Sequence, residues 1–599
     1  MRFLLFAFIV PVLATPSGEA VFRERCAGCH ESSNPRIPPR ATLQQLSSSQ
    51  ILRALNYGAM ITVAYTMSTE EREAVAGFLG KPGAGPAVRP ASAYCADRTV
   101  RLATKPKAPS DKDQWNGWSP GDANTRFQPA GLSLDQVRRL KLKWSFVFEG
   151  DATSFAQPTV LDGNLFTGSA GGTIYALDAS TGCIRWTFDQ AGPVRSSILA
   201  VRSGATASLL FGDQVGWFYS LDAASGKLLW KKRVEEHDAA RLTGSPVEYQ
   251  GTVFVPIASW EENRASDPKY ACCTFRGSVA ALRVRDGSLV WKSYLVDVPK
   301  KNGPGLAPWG PSGVPVWSTP TVDAKRGALY ITTGDNYSEP VTNMSDAVVA
   351  LNLKTGHITW SRQFTQGDLF NGACPAHAEN CPGEAGPDYD FGSSAMLIGD
   401  LLIAGQKSGK VYALNPDKRG EIVWQTRVGK GSANGGVQWG MASDGQNVYA
   451  ATSDIERTRR NAKDMADLVT FDLDPNQGGG LTALHVANGA KAWFAAPHAC
   501  DPPKAGCSPA QPAAVTAMPG AVLSGSVDGH LRAYSSEDGK MLWDVDTARE
   551  FTGVNGIKGH GGSIDGAGAV VVNGMVYIQS GYARQGGMPG NMLLAYGPE

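Results

Sequence analysis

Apolar and polar residues alternate along much of this chain with the two-residue period of β-strands. The pattern is clearest in GGTIYALDASTGCIRW, residues 171–186, where Ile174 and Ala176 lie on one face of a predicted strand. The letters DASTG are typical of a tight turn, and a second predicted strand follows and contains Trp186. This stretch therefore predicts a strand, a turn and a second strand.

The same pattern recurs along the chain, and every complete copy ends in tryptophan. The terminal tryptophans of the seven complete copies are Trp186, Trp230, Trp291, Trp360, Trp424, Trp493 and Trp543. They lie 44 to 69 residues apart, a period typical of a β-propeller with one four-stranded blade per repeat. An eighth copy is split between GNMLLAYGPE at the C-terminus and LKLKWSF around Trp144. Joining these halves would close the ring and remove exposed sheet edges, so we predict eight blades rather than seven.

Composition limits the partners and the compartment. The chain has 56 Lys plus Arg against 55 Asp plus Glu, a balance that gives no reason to expect a nucleic-acid partner. Ten cysteines favour an oxidising compartment. Arg2 and the apolar run after it predict a signal peptide over residues 1–14 that is too short to span a membrane. We therefore expect a periplasmic protein without a membrane span.

The first motif after this segment is CAGCH, residues 26–30. Cysteines three residues apart can form two thioether bonds to one haem, and the adjacent histidine then ligates the iron. Cys26, Cys29 and His30 therefore predict one covalent haem c. A redox dithiol is the alternative interpretation.

A second segment supports a haem domain. STEEREAVAGFL begins with Ser68 and has Glu71 three residues later, which predicts a capped helix. The segment resembles the end of a class I cytochrome c, in which a loop methionine precedes the last helix. The resemblance implies Met60 as the sixth iron ligand, with Met67 as the rival that we expect in the core. We therefore predict an all-α cytochrome c domain over residues 15–82.

The remainder of the chain resembles one enzyme family. WNGWSPGDANTRFQPAGLSLDQVRRLKLKW, residues 115–144, is similar to the segment that leads into the first blade of the pyrroloquinoline quinone (PQQ) alcohol dehydrogenases, and the repeat itself resembles theirs. We expect a linker over residues 83–112 and the propeller over 113–599. Non-catalytic relatives such as outer-membrane assembly lipoproteins share the eight blades, so a scaffold is the alternative function.

The resemblance implies a set of residues that contact PQQ. Those residues are Arg195, Thr243, Trp317, Lys407 and Trp439, the last beside Gln438. Arg195 would hold the quinone carboxylates, for which a guanidinium is well shaped. Trp317 would stack on the flat quinone, and Lys407 would lie near its carbonyls and stabilise negative charge during the reaction.

The resemblance also implies a metal site and a catalytic base. Glu261 aligns with the family's metal-binding glutamate, and Asn336 with its amide ligand, although one inserted residue leaves Asp335 open. Asp388 aligns with the catalytic aspartate and also binds the metal in such a site. Asp390 projects the same way on an extended chain and is the alternative base. Calcium is the expected ion, and the second aspartate leaves a lanthanide possible.

The remaining eight cysteines can be paired. Cys374 with Cys381 and Cys500 with Cys507 close short loops, which leaves Cys95 for Cys183. Cys272 and Cys273 are adjacent. PQQ alcohol dehydrogenases carry a vicinal disulfide over the quinone, but earlier in the chain, so this pair is either such a disulfide or two buried thiols.

The order of the domains points to a substrate. A cytochrome domain ahead of the propeller, with ACCTFRG and GPDYDFG, resembles the branch of the family that oxidises polyvinyl alcohol. It implies oxidation of secondary alcohols, with electrons passing to the haem and then to a soluble cytochrome c. The long inserts 260–276, 300–317 and 364–392 contain Gly, Pro and Trp309 and predict rigid walls around an open mouth. Such a mouth favours a polymer, and small secondary alcohols are the alternative.

Overall fold

The repeats form eight β-sheets, each built around four antiparallel strands, in the computed structural model of the chain. The structure describes residues 17–32, 39–56, 60–64, 67–82, 89–103, 111, 113–189, 191–203, 206–303, 306–459, 471–583 and 586–599. The predicted signal peptide, residues 1–14, lies outside these residues. Two compact units are described, one up to residue 82 and one from Arg89 onward.

The first four blades follow one another in the chain. The strands of blade 1 are Thr159–Leu161, Asn164–Gly168, Ile174–Asp178 and Ile184–Phe188. Those of blade 2 are Leu199–Ser203, Thr206–Gly212, Trp217–Asp222 and Leu228–Arg233. Those of blade 3 are Val247–Tyr249, Thr252–Ser259, Ser278–Arg283 and Leu289–Tyr294. Those of blade 4 are Thr321–Asp323, Ala328–Thr332, Ala347–Asn352 and Ile358–Gln363.

Blades 5 to 7 continue the same order. The strands of blade 5 are Met396–Ile398, Leu401–Gly405, Lys410–Asn415 and Glu421–Arg427. Those of blade 6 are Ala442–Ser443, Asn447–Ala451, Leu481–His485 and Lys491–Ala495. Those of blade 7 are Thr516–Met518, Ala521–Gly525, His530–Ser535 and Met541–Asp546.

Blade 8 closes the ring with strands from both ends of the propeller. Its last three strands in the chain are Val570–Val572, Met575–Ser580 and Met592–Pro598. The fourth strand, Leu140–Val147, precedes blade 1 in the chain and pairs antiparallel with Met592–Pro598. The predicted eight-bladed propeller, with its split last blade, is confirmed.

Shorter elements decorate the propeller. The helices are Leu134–Arg138 and Glu261–Arg264, and the 3₁₀ turns are Ala91–Ala93, Cys374–Ala376 and Pro416–Lys418. Two strands, Gln114–Trp115 and Ala240–Arg241, are added to blade sheets. The two-stranded sheets are Lys300–Lys301 with Trp309–Gly310, Ser312–Gly313 with Asn336–Ser338, Arg457–Arg459 with Phe471–Leu473 and Glu550–Thr552 with Lys558–His560. Several of these lie in the connections between blades, where the site residues are found.

The terminal tryptophans join each blade to the next. In seven of the eight seams, the indole N–H donates to a turn carbonyl of the following blade, or to Leu140 of blade 8, at 2.9 to 3.2 Å. The ring also covers a glycine of the same turn; Gly226, for example, lies under Trp186. Trp360 makes no such hydrogen bond to a described residue, because the facing turn is one residue longer and forms a 3₁₀ turn at Pro416–Lys418. These contacts explain why every repeat ends in tryptophan.

The predicted disulfides are present. They join Cys95 to Cys183, Cys272 to Cys273, Cys374 to Cys381 and Cys500 to Cys507. The first of them attaches part of the expected linker to blade 1. Arg89 adds to this attachment, because its guanidinium pairs with the Asp189 carboxylate at 2.8 Å. Residues 89–103 therefore belong to the propeller unit.

The N-terminal unit is helical. Its helices are Gly18–Arg25, Ala27–His30, Arg40–Leu43, Ser48–Asn56, Ile61–Ala64 and Thr69–Leu79. Their apolar faces form one small core that includes Phe22, Ile51, Met67 and Val75. None of the helices within the described ranges is long and apolar enough to cross a bilayer.

Two local features fix the last helix of this unit. The predicted capping box is confirmed: the Ser68 hydroxyl accepts the Glu71 N–H, and the Glu71 carboxylate accepts the Ser68 N–H at 2.7 Å. The first helix crosses it at Gly18, where a Cβ atom would overlap the backbone of Ala74 and the side chain of Phe78. Only glycine permits this close approach.

We expect the glycine beneath a seam tryptophan to be needed for stability. In Gly226→Ala the new Cβ would lie 2.5 Å from the Trp186 ring at φ +70°, so strain adds to overlap. Gly251→Ala is the matched control, because Gly251 has φ +78° but nothing within 4 Å of the new Cβ. The control should lose about 1–2 kcal/mol from backbone strain alone, and Gly226→Ala about 1–3 kcal/mol more. Thermal unfolding scans at one heating rate measure both, and equal losses would show that the ring contact is unimportant.

Candidate active site

Three aspartates converge between blades 4 and 5. Asp335 follows the second strand of blade 4, while Asp388 and Asp390 lie in the connection to blade 5. One carboxylate oxygen of each lies within 4.8 Å of the others, and all three side chains are buried. Like charges this close repel one another in a buried setting. The arrangement is therefore suited to a cation that takes oxygen ligands.

Asp390 is fixed by three hydrogen bonds. Its Oδ1 accepts the backbone N–H of Asp335 at 2.8 Å, and its Oδ2 accepts the indole N–H of Trp317 at 3.1 Å and the Lys407 ammonium at 3.1 Å. Gly334 is required here, since a Cβ atom at that position would lie 2.7 Å from the Asp390 carboxylate. Asp390 is thus held rigidly by its surroundings.

Lys407 supplies positive charge to the cluster. Its ammonium contacts Asp388 Oδ1 at 2.7 Å and lies 5.5 Å from the centroid of the Trp317 ring. Burial alone would lower the pKa of Lys407, but the negative charges of Asp388, Asp390 and Glu262 outweigh burial and raise it. Lys407 therefore remains an ammonium ion at neutral pH.

Glu262 lies near the charges of Asp390 and Lys407, whereas Glu261 is bonded to a neighbouring loop. The Glu261 carboxylate accepts the backbone N–H groups of Thr274 at 2.6 Å and Phe275 at 2.7 Å, so it holds that loop in place. The pKa of Glu262 is raised to about 7, chiefly by burial and in part by the charge of Asp390, while Lys407 opposes the shift. The two glutamates are adjacent on the short helix, so their side chains point about 100° apart. Glu261 as the metal-binding glutamate stays a prediction, and Glu262 becomes the competing candidate.

In the connection after the second strand of blade 4, the residue that faces the cluster also differs by one position from the first residue expected. The Asn336 amide is satisfied within the protein, because its Oδ1 accepts the Thr342 N–H at 2.9 Å and its Nδ2 donates to the Ser312 carbonyl at 3.2 Å. Both Asp335 carboxylate oxygens are buried without a hydrogen-bond partner. Burial and the charge of Asp390 raise the pKa of Asp335 well above its usual value. Asp335, the residue left open by the insertion, is the one that faces the cluster.

The residues expected to contact the quinone form a second group beside the carboxylates. Trp317 packs over Gly392 and meets Trp439 edge to face, with ring centroids 5.0 Å apart. The Arg195 guanidinium lies 3.9 Å from the centroid of the Trp439 ring. The Thr243 hydroxyl is buried without a hydrogen-bond partner. A stacking surface, a guanidinium and an unsatisfied hydroxyl are groups that an aromatic, carboxylated quinone would use.

Sequence reasoning missed two residues of this group. Asp565 accepts the indole N–H of Trp439, and the Tyr582 hydroxyl accepts a hydrogen bond from Arg195 at 3.1 Å. Burial raises the pKa of Asp565, although the bond from Trp439 and the charge of Arg195 oppose the shift. Both residues lie near the end of the chain and only the ring closure brings them to Arg195. No local motif marks them.

The vicinal disulfide lies inside a hydrophobic cluster. Cys272 and Cys273 are fully buried together with Ala265, Phe275 and Tyr337. The two residues form a disulfide rather than two thiols. It packs the loop that also carries the backbone donors to Glu261.

The CAGCH segment forms a helical turn in the N-terminal unit. The backbone N–H groups of Cys29 and His30 donate to the Cys26 carbonyl at 3.2 and 3.0 Å. Cys26 and Cys29 are the two cysteines of ten that form no disulfide. His30 is buried, Met67 lies in the core, and Met60 is half-buried against that core.

Comparison with known proteins agrees with this geometry. Residues 115–379 match the family described as glucose/ethanol/alcohol dehydrogenase, beta-propeller domain, and residues 399–589 match that of the outer membrane protein assembly factor BamB. A polyvinylalcohol dehydrogenase of Pseudomonas sp is 39% identical over 98% of this chain and 94% of the relative. Another, of Sphingopyxis sp. (strain 113P3), is 37% identical over 97% of this chain and 92% of the relative.

This chain belongs to the polyvinylalcohol dehydrogenase family. It is a PQQ-dependent alcohol dehydrogenase, as the resemblance in the sequence implied. The crystal structure of the quinohemoprotein alcohol dehydrogenase from Comamonas testosteroni shares the fold, with a TM-score of 0.57 and 18% identity over 82% of this chain and 81% of that one. A europium-containing methanol dehydrogenase also shares the fold, with a TM-score of 0.58 and 16% identity over 82% of this chain and 99% of that one.

We expect Glu262, and not Glu261, to control cation binding in this family member. Glu262→Gln should weaken binding of Ca²⁺ or Tb³⁺ on the order of tenfold or more, since a charged ligand is lost. Glu261→Gln is the matched control and should lower the melting temperature while leaving the affinity within about twofold, because its carboxylate holds backbone N–H groups. Calorimetric titration and tryptophan-sensitised Tb³⁺ luminescence measure the affinities. Weaker binding in Glu261→Gln alone would restore the original assignment.

The same pair gives a pH signature without a cation. The raised pKa of Glu262, about 7, means that its stabilising contribution is complete below the ordinary glutamate pKa and is lost as pH rises through about 7. Cation-free Glu262→Gln should therefore lose less stability than the wild type as the pH rises from about 4.5 to about 7, the interval between the ordinary and the folded-state pKa of Glu262. Identical pH profiles would contradict this placement of Glu262.

Proposed function

We propose that this protein oxidises secondary hydroxyl groups of polyvinyl alcohol to ketones. The observation that carries the proposal is near full-length similarity to two proteins named for that activity, together with the buried carboxylate cluster beside a stacking surface. Two electrons leave each alcohol, pass to a haem c in the same chain and reach a soluble cytochrome c. We place the protein in the periplasm, delivered there by residues 1–14.

The carboxylates of Glu262, Asp335, Asp388 and Asp390 fit a cation. Both oxygens of Asp335 are buried without partners, which is unfavourable unless a positive charge binds there. Calcium is our first choice for this set of oxygen ligands, and the high negative charge also suits a trivalent lanthanide. Asn336 and Glu261 remain neighbours of the site, because other groups of the protein already satisfy their side chains.

PQQ fits between the aromatic residues and the carboxylates. Trp317 would stack on its ring, Arg195 would pair with its carboxylates, and the Thr243 hydroxyl would find its missing partner there. Trp439 supports both Trp317 and Arg195. A bound PQQ would supply a hydride acceptor, and a cation at the carboxylates would supply Lewis acidity.

Asp388 is the general base in this proposal. Burial raises the pKa of Asp388, and Lys407, which contacts its Oδ1 at 2.7 Å, opposes this shift and favours the carboxylate form. Its Oδ2 accepts no hydrogen bond from the described residues, so that oxygen can take the proton of the alcohol hydroxyl. Asp390 is less suited to this role, since both of its oxygens already accept hydrogen bonds from the protein. Lys407 would also counter the negative charge that develops on a quinone oxygen during hydride transfer.

The N-terminal unit fits a c-type haem. Cys26 and Cys29 would form the two thioethers, and His30, buried one residue later, would ligate the iron. Met60 is our choice for the sixth ligand, because Met67 is 2% exposed and already fills the core. A bound haem would supply a one-electron carrier toward the external cytochrome c. We assign residues 15–82 to this cytochrome c domain.

The function is tested with enzyme loaded with PQQ and Ca²⁺. It should oxidise polyvinyl alcohol with a higher kcat/KM per hydroxyl than ethanol or 2,4-pentanediol. Asp388→Asn should keep PQQ bound but lose on the order of 10²-fold or more in kcat, as for a lost general base. Asp400→Asn, an exposed aspartate on blade 5, is the control and should behave as wild type. Near-normal turnover of Asp388→Asn would move the role to Asp390, and preference for ethanol would favour a small-alcohol enzyme.

The haem assignment is tested with the two methionines. Met60→Ala should lose low-spin character in the reduced spectrum and have a lowered reduction potential, since a methionine ligand raises it. Met67→Ala should keep the low-spin spectrum but destabilise the domain by about 2–5 kcal/mol, as for a buried methionine. Visible spectra, potentiometry and thermal melts separate these results. The reverse pattern would make Met67 the ligand.

A further inference from the structure

One tryptophan of this chain differs from all the others. All fifteen lie within the described residues, and fourteen are buried or half-buried, whereas Trp309 is 36% exposed. Its indole N–H donates no hydrogen bond to the part of the chain that the structure describes. Trp309 is also not one of the seam tryptophans. It therefore exposes an aromatic face and a hydrogen-bond donor to solvent, and packing between blades does not explain this position.

The backbone of Trp309 is firmly attached. Its N–H donates to the Cys272 carbonyl at 3.2 Å, and its carbonyl accepts the Cys273 N–H at 3.3 Å. The strand Trp309–Gly310 also pairs with Lys300–Lys301. The indole is thus displayed from a backbone that a buried disulfide holds in place.

Other exposed apolar side chains lie on the same loops. Val298, Leu306 and Val341 are 63%, 48% and 51% exposed. Glu339 joins the two loops, because its carbonyl accepts the Asn302 amide at 3.0 Å and its carboxylate lies 3.4 Å from the Ala307 N–H. We call Val298, Leu306, Trp309 and Val341 the rim patch. Single exposed apolar residues are common, but several on loops that are bonded to one another are typical of a binding surface.

The rim patch lies close to the proposed active site. The backbone of Trp309 is hydrogen-bonded to that of Cys272 and Cys273. Thr274, which follows Cys273, donates its N–H to the Glu261 carboxylate at 2.6 Å. Glu261 is followed directly by Glu262 of the carboxylate cluster. One short loop therefore separates the patch from the cluster.

We propose that the rim patch binds repeats of the polyvinyl alcohol chain that are not being oxidised. The proposal rests on the proposed function, because that substrate continues well beyond any one reacting carbon. Each repeat offers C–H groups that pack on an indole face and a hydroxyl that accepts from the indole N–H. Binding of remote repeats raises the apparent affinity for a long chain without changing the chemistry at the reacting carbon. A small alcohol is too short to reach both places.

The test compares Trp309→Ala and Trp309→Phe with wild type on polymers of increasing length and on 2,4-pentanediol. Trp309→Ala should raise KM for the longest polymer on the order of tenfold, the effect of losing one well-packed aromatic contact. Its kcat on the polymer and its kcat/KM on the diol should stay at wild-type values. Trp309→Phe should recover part of the loss through its ring. Phe494→Ala, which removes another exposed aromatic ring at 55% exposure on blade 6, is the matched control and should change nothing.

Retardation in gels that contain polyvinyl alcohol measures binding without turnover and should be weaker for Trp309→Ala than for wild type. Unchanged polymer KM, or equal losses on the polymer and the diol, would overturn the inference while leaving the proposed function in place. A change confined to KM for the external cytochrome would also overturn it and would assign the patch to the electron acceptor. A wild-type enzyme that oxidises the diol but not the polymer would reject the proposed function itself.

Discussion

The contact on which the propeller depends is the one between a terminal tryptophan and the turn of the next blade. The indole N–H donates to a turn carbonyl, and the ring covers a glycine that has no side chain to displace it. Each contact is modest by itself, but nearly every seam repeats it around a closed ring. The ring is closed because Leu140–Val147 completes blade 8 and its Trp144 donates a hydrogen bond to Ala179 of blade 1. The positions of the inter-blade connections follow from this closure.

A rigid ring allows the site to hold charges that would otherwise repel one another. Asp335, Asp388 and Asp390 are buried close together, with Lys407 as the ammonium in direct contact with two of them. Backbone and indole N–H groups hold Asp390, so its position does not depend on a bound cation. The energy of blade packing thus maintains an arrangement that is electrostatically unfavourable until a cation binds. A less constrained loop would relax and separate the carboxylates.

The sequence predicted the fold well because repetition makes a weak local signal strong. A single tryptophan after a turn has many explanations, but seven at similar spacing have one, and the split eighth copy indicated how the ring closes. The cysteine pairs followed from spacing and were confirmed. The motif around Asp388, Asp390 and Lys407 also named residues that do meet in space. Asp565 and Tyr582 had no such motif, because their partners lie more than a hundred residues away in the chain.

By itself, the amino-acid sequence determined the eight blades, the disulfide pairs and the stretches of chain that carry the acidic residues. The tertiary structure decided which member of each adjacent pair faces the cluster. Glu261 and Glu262 lie on one helical turn, so a step of one residue rotates the side chain by about 100°. Asp335 and Asn336 lie where the chain enters a short strand, and there successive side chains point to opposite sides. An ungapped sequence alignment cannot tell which of two adjacent residues faces the cluster. Backbone direction resolves it, and that direction is set by packing between blades distant in the sequence.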